Sequence, residues 1–283
     1  MIARPAGPTH RIEHLETPVP LSPPSPSPSP SPSPSPALSP SPGGVLLVHG
    51  AWHTGHAWDG VAAGLRARGL AVAVAELHRG SLAADVAAAE AALDRLDGDG
   101  PVVACGHSYG GAVITGLPPH RIDHLVYLAA MMPDRGETAL GLLADAPPTA
   151  LATSMVGDPS GSTTTIDPEA AGNLFHAQLD PAERARHTAR LVPQAMAPGS
   201  QPTTAAAWHQ RPSTYVVCTE DRAVHPHLQH RFAARATHVL TWRSDHGAFA
   251  SHETETVDLL HRLATDSRPD HPNHPDRTAR TDR

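Results

Sequence analysis

The 283-residue chain is 40% hydrophobic and 4% aromatic, enough apolar material for one substantial core. A formal net charge of -7 with no basic stripe argues against a general nucleic-acid binder, and no apolar run is long enough to span a bilayer. The chain has no lysine, all 21 basic residues being arginine, which excludes Schiff-base chemistry, a P-loop ATPase, a protein kinase and the S-x-x-K serine enzymes.

From the N-terminus, residues 1–20 contain no continuous apolar stretch of the secretory-signal kind. Residues 22–42 alternate almost entirely between serine and proline, a composition that removes backbone donors and cannot build a core. Residues 1–42 are therefore read as a disordered extension with a semi-extended linker, residues 43–265 as the folded domain, and residues 266–283 as a second disordered tail. Gly44–Val48 reads as a buried strand. Trp58–Arg68 reads as a helix with Val61 and Leu65 on one face, and Leu70–Ala75 as a second strand. Ser81 is placed to cap a helix whose Leu82, Val86, Ala89, Leu93 and Leu96 recur at helical spacing. Val102–Cys105 and His124–Ala129 are further strands. From about 133 to 208 the alternation gives way to helices and loops, with Asp167-Pro168 and Asp180-Pro181 each reading as an N-cap followed by proline at the first helical position. Strands resume at Thr214–Cys218 and His238–Trp242, and a last helix covers Ser251–Leu263. Apolar strands alternating with amphipathic helices imply an α/β fold: a mainly parallel sheet of about six strands, flanked by helices, with a small helical lid inserted after the fourth strand.

The sharpest chemical signal is Gly106-His-Ser-Tyr-Gly110 between a predicted strand and a predicted helix. Strand, G-x-S-x-G, helix is the spacing of a nucleophile elbow, where Ser108 sits in a strained turn and the flanking glycines avoid collisions between strand and helix. A serine hydroxyl needs a base, and the base an orienting acid. In the elbow fold these follow in the order Ser, Asp or Glu, His, on loops at the C-terminal ends of strands. Asp221, after the strand ending at Cys218, is read as the acid, and His246, after the strand ending at Trp242, as the base. Glu220, Asp134 and Asp245 are rivals for the acid. His246 stands out among 21 histidines by position. The oxyanion hole needs two backbone N–H groups, assigned to Tyr109, after the nucleophile, and Ala51, in the loop after the first strand, where Gly50 permits close approach. His49 reads as structural, bonding that loop's backbone.

His49-Gly-Ala-Trp-His-Thr-Gly-His-Ala-Trp58, Gly106–Gly111, Leu128–Asp134, Cys218–Arg222 and Asp245-His246 occur in this order, and together they resemble the α/β-hydrolase superfamily over about residues 43–264. The branch they are most similar to is that of the plant methylesterases and hydroxynitrile lyases with their bacterial relatives. The resemblance implies a sheet without the two leading antiparallel strands of larger relatives, Ser108, Asp221 and His246 as triad, and Ala51 and Tyr109 as oxyanion donors. The lyases carry threonine after the first-strand histidine and lysine after the catalytic one. Here those positions are Gly50 and Gly247, which favours ester hydrolysis. A dehalogenase would need aspartate at position 108.

The remaining candidates have plainer readings. His225, His227 and His230 fit no zinc spacing and read as a solvated helix face; His271 and His274 read as tail residues, so no metal and no cofactor is expected. Cys105 and Cys218 read as small buried core residues, too few for a disulfide framework, so a reducing cytoplasm is the expected location. Trp52, Met131, Phe175 and Trp208 are candidates for the substrate pocket, and Trp58 for a loop anchor. The expectation is a serine esterase acting on a small apolar carboxylic ester as its partner molecule. A non-catalytic small-molecule binder and a C–C bond hydrolase or hydroxynitrile lyase on the same fold are the alternatives. The sequence leaves the oligomeric state open.

Overall fold

The computed structural model describes residues 43–77, 80–96, 98 and 100–266. The Ser-Pro extension and the C-terminal tail with His271 and His274 lie outside the described residues. In chain order the first half comprises β1 (Gly44–Val48), α1 (Asp59–Ala67), β2 (Ala71–Ala75), α2 (Leu82–Leu93), β3 (Val102–His107), α3 (Gly110–Thr115) and β4 (His124–Leu128). An insert follows, with α4 (Ala139–Ala144), α5 (Ala150–Ser154), β5 (Met155–Gly157), β6 (Thr163–Ile166), α6 (Pro168–Phe175), α7 (Pro181–Thr188), β7 (Gln194–Ala195) and α8 (Ala197–Ser200). The chain then returns through β8 (Ser213–Cys218), α9 (Pro226–Ala233), β9 (His238–Trp242), α10 (Ala248–Ser251) and α11 (Glu253–Thr265).

Six strands form one parallel sheet in the order β2-β1-β3-β4-β8-β9. Its central strands are buried from end to end because both faces are covered. Alternate side chains of β1 feed two cores: Leu46 and Val48 pack on one face with Val113 and Leu117, and Val45 and Leu47 on the other with Trp58, Leu65 and Leu260. Each such fully buried Leu or Val contributes about 2 kcal/mol. Trp58, the expected anchor, is wholly buried in the second core.

Local chemistry sets the helix starts. Ser81 Oγ accepts from Ala84 N–H at 3.1 Å, and Asp180 Oδ1 from Ala182 and Glu183 N–H, both at 2.9 Å. Asp167 caps α6 in the same way, accepting from Glu169 N–H at 3.1 Å. Two boundaries differ from expectation. A 3₁₀ turn over Gly55–Trp58 precedes α1, and the last helix is split at His252 into α10 and α11. The insert also adds to the expected helices a three-stranded antiparallel sheet, β5-β6-β7.

The strand order reverses around β1, whose neighbours are β2 and β3, with Val48 in register with Gly106. The loops after β1 and β3 therefore emerge side by side at the C-terminal edge, where open α/β sheets place their ligands. This brings His49–Trp52 against His107–Tyr109.

Candidate active site

Ser108 follows β3 with φ +52°, a left-handed conformation that a serine adopts only when its surroundings impose it. Packing explains the constraint. A Cβ on Gly106 would lie 2.5 Å from the Gly110 carbonyl oxygen, and one on Gly110 2.5 Å from that of Val48. A Cβ on Gly50 would meet Ser108 Cβ at 2.8 Å, so the loop after β1 runs directly against the serine. The backbone N–H groups of Ala51 and Tyr109 donate to no protein acceptor among the described residues, and both residues line one cavity with Ser108. Two unspent donors beside a serine are the arrangement that stabilises a tetrahedral oxyanion.

Asp221 and His246 meet at the ends of β8 and β9. His246 Nδ1 lies 2.7 Å from Asp221 Oδ2, with both side chains buried. Every remaining acceptor position on the carboxylate is engaged. Oδ1 accepts from Ala223 and Val224 N–H at 2.7 and 2.9 Å, and Oδ2 from Gln229 Nε2 at 2.8 Å. Gln229 is itself fixed, accepting Cys218 N–H at 2.8 Å and donating to the Val224 carbonyl at 2.8 Å. Such a carboxylate stays in place and selects the imidazole tautomer protonated at Nδ1, which makes Nε2 an acceptor.

His246 is tied to the serine's own segment. Its carbonyl oxygen is 2.9 Å from Nε2 of His107, the residue before Ser108, and the two rings are 4.5 Å apart. Among the described residues Ser108 Oγ and His246 Nε2 do not share a hydrogen bond. In ligand-free sites that contact is commonly long and closes when substrate binds. The rival acids are engaged elsewhere. Glu220 pairs with Arg243 at 2.5 Å and takes a hydrogen bond from Gln178 at 2.9 Å, and Asp134 sits beside His209 at 3.0 Å. Asp245 is buried, accepting from Gln178 N–H at 2.8 Å and Ser251 Oγ at 2.9 Å, and desolvation raises its pKa.

Three further histidines surround His246. His53 Nδ1 lies 2.8 Å from the Ala51 carbonyl, and burial lowers its pKa to about 3. Burial likewise holds His107 well below 6.5 and takes His176 to about 2. All three are neutral across the range in which esterases work, so none places a positive charge against His246. His53 and His107 fall within the quoted motifs, but nothing in the sequence marks their place around His246, or marks His176 or Gln229, because these positions come from contacts between distant segments. His49 bonds loop backbone as expected, with Nδ1 2.9 Å from Gly50 O and Nε2 accepting Leu77 N–H at 3.2 Å.

The cavity over Ser108 is about 60 Å³ and its lining carries no charged side chain. Trp52 and Met131 line it, together with Leu140, Leu143 and Met196 from the insert. Phe175 and Trp208 do not, which corrects the sequence expectation for both. Phe175 turns under the base loop, its ring 5.6 Å from that of His246 and its carbonyl accepting Gly247 N–H at 2.7 Å. Trp208 is drawn aside because its indole N–H needs an acceptor and finds the Pro133 carbonyl at 3.0 Å, while its ring stacks on His209 at 3.8 Å. Among the described residues no group of three or more His, Cys, Asp or Glu could hold a metal ion. His227 and His230 are exposed on α9, and His225 Nδ1 accepts His227 N–H at its start. Cys105 and Cys218 are buried free thiols.

The sequence profile described as the alpha/beta hydrolase family matches residues 45–259. A carbendazim hydrolyzing esterase of Nocardioides sp. (strain SG-4G) is 34% identical over 129 residues, 40% of this chain, so that the chain spans about half (52%) of that relative's length. An alpha/beta hydrolase, nvfD, of Aspergillus novofumigatus (strain IBT 16806) is 27% identical over 208 residues, covering 67% of this chain and 82% of the relative. Among solved structures, a pyrethroid hydrolase from Sphingobium faniae JZ-2 superposes with a TM-score of 0.67 at 21% identity, over 78% of this chain and 97% of that one.

Proposed function

The chain belongs to the alpha/beta hydrolase family, and from that premise we propose that it is a serine esterase that cleaves a small apolar carboxylic ester through an acyl-enzyme intermediate. The observation that carries the reading is the buried Asp221–His246 pair, its carboxylate bonded at every position, at the same sheet edge as a strained, half-exposed Ser108. His246 Nε2 takes the Ser108 proton as Oγ attacks the ester carbonyl. The Ala51 and Tyr109 N–H groups hold the oxyanion, and Asp221 stabilises the imidazolium. His246 then protonates the leaving alcohol and activates the water that releases the acid.

The charge-free cavity supports an apolar substrate, since a charged group would lose its hydration there without a partner. The names of the relatives, a carbendazim hydrolyzing esterase and a pyrethroid hydrolase, make those two compounds sensible members of a substrate panel. A hydroxynitrile lyase reading is disfavoured at Gly247, where those enzymes carry lysine. A Cβ there would lie 2.5 Å from both His176 Nδ1 and the Phe175 carbonyl oxygen.

The test is hydrolysis of p-nitrophenyl acetate. Ser108→Ala is expected to lower kcat by at least about 10⁴-fold with an unchanged thermal midpoint. Turnover retained by that variant would overturn the assignment, and so would a wild-type protein that binds esters without cleaving them.

A further inference from the structure

The loop that carries Ala51 is held from outside the core. Trp52, the next residue, has φ +60°, a second left-handed position that a bulky side chain occupies only under constraint. The constraint comes from the insert. Trp52 N–H points at Gln194 Oε1 of β7 at 3.4 Å, and its carbonyl accepts Val192 N–H at 2.9 Å. The indole Nε1 donates to Thr164 of β6, at 3.2 Å to the carbonyl and 3.1 Å to Oγ1. The small antiparallel sheet therefore grips Trp52 by its amide and its side chain, and Val192, in the segment leading into β7, holds its carbonyl, all from positions 112 and more residues away. The Trp52 ring also stacks on Phe175 at 6.2 Å.

We propose that the β5-β6-β7 sheet sets the geometry of the oxyanion hole through Trp52, making Trp52 and Thr164 positioning residues for the Ala51 amide. The peptide planes before and after Ala51 share its Cα. Fixing Trp52 on both backbone sides fixes the ψ of Ala51 and the direction of the loop that aims its N–H. Without the grip, a left-handed tryptophan relaxes toward ordinary φ, and the Ala51 N–H swings with it. The insert is thus a structural member of the catalytic centre as well as a wall of the cavity. This inference rests on the serine-esterase reading above.

The experiment compares p-nitrophenyl acetate with its thionoester, in which sulfur replaces the carbonyl oxygen. Sulfur is a larger and weaker acceptor and gains less from the two N–H donors, so the ester-to-thionoester ratio of kcat/KM reports on the oxyanion hole itself. Trp52→Phe keeps an aromatic face toward the cavity but cannot bond Thr164. Thr164→Val removes the hydroxyl acceptor at a residue outside the cavity, and Thr164→Ser restores it. Trp52→Phe is expected to lower the ratio about tenfold, less than the roughly 100-fold or more lost when a donor is removed outright. Thr164→Val lowers it in the same direction and Thr164→Ser returns it to the wild-type value, with KM for the acetate changed less than about twofold in both Thr164 variants. A purely structural role would lower both rates together and leave the ratio constant. That result in both Trp52→Phe and Thr164→Val would overturn the inference alone. A wild-type protein that cleaves neither compound would overturn the esterase reading and this inference with it.

Discussion

His176 gives the most direct handle on how burial shapes this site. The side chain is fully buried among His53, His187 and Phe249, and neither ring nitrogen has a hydrogen-bond partner among the described residues. Burial is the main cause that takes its pKa from 6.5 to about 2, with neighbouring histidines adding to it. The folded state therefore refuses a proton that the unfolded chain accepts. The stability tied to the neutral ring is complete above about pH 6.5 and is lost as the pH falls toward 2. At pH 5 the unfolded chain is favoured by about 2 kcal/mol for this one residue. His53, lowered to about 3, His124, lowered to about 4, and His107 act with the same sign. His176, His53 and His124 together reach about 6 kcal/mol at pH 5, within the roughly 5–15 kcal/mol that holds a domain folded, and His107 adds to the loss. Urea unfolding followed by far-UV circular dichroism at pH 7.5 and pH 5.0 measures this loss. His176→Leu is expected to reduce it by about 2 kcal/mol. It also gains stability at pH 7.5, since two buried nitrogens without partners are removed. An equal loss in wild type and variant would mean that His176 takes up its proton in the folded state, and the burial argument would fail.

Two further substitutions probe the catalytic loops. Gln229→Leu removes the donor to Asp221 Oδ2 and the acceptor for Cys218 N–H, both at 2.8 Å, and is expected to lower kcat about tenfold with little change in KM; steady-state kinetics showing a wild-type kcat would remove Gln229 from the account. Gly50→Ala places a Cβ 2.9 Å from His107 Nδ1 and closer still to Ser108, so the oxyanion loop must retreat from the serine. The expected cost is about 100-fold in kcat on p-nitrophenyl acetate, and a fully active variant would show that this loop does not contribute a donor.

The sheet was legible because its central strands are buried on both faces and read as continuous apolar runs, such as Val102–Cys105 and Thr214–Cys218. The elbow was legible because steric crowding at Gly106 and Gly110 leaves a local residue pattern. The β5-β6-β7 sheet was not, since strands of three, four and two residues carry no usable periodicity. The β-branched run Thr163–Ile166 was the one local hint of it. Gln229 is invisible for a different reason: an amide on a helix eight residues after Asp221 has no meaning until the turn between them folds it back onto the carboxylate. Phe175 and Trp208 were misplaced because a large aromatic residue in an insert can face a cavity or a packed interior equally well, and nearby polar groups decide which. The Pro133 carbonyl claimed Trp208. For Phe175, the hydrogen bond from Gly247 N–H to its own carbonyl carried the residue under the base loop.

The central claim is that His246, held by Asp221, activates Ser108 and no other nucleophile. Time-resolved intact-protein and peptide mass spectrometry after exposure to an alkyl fluorophosphonate tests it directly. The account predicts one phosphonyl group per chain, located on Ser108, absent in Ser108→Ala and attached at least about 1,000-fold more slowly in His246→Ala. Labelling at another residue, or equal labelling rates in wild type and His246→Ala, would contradict it.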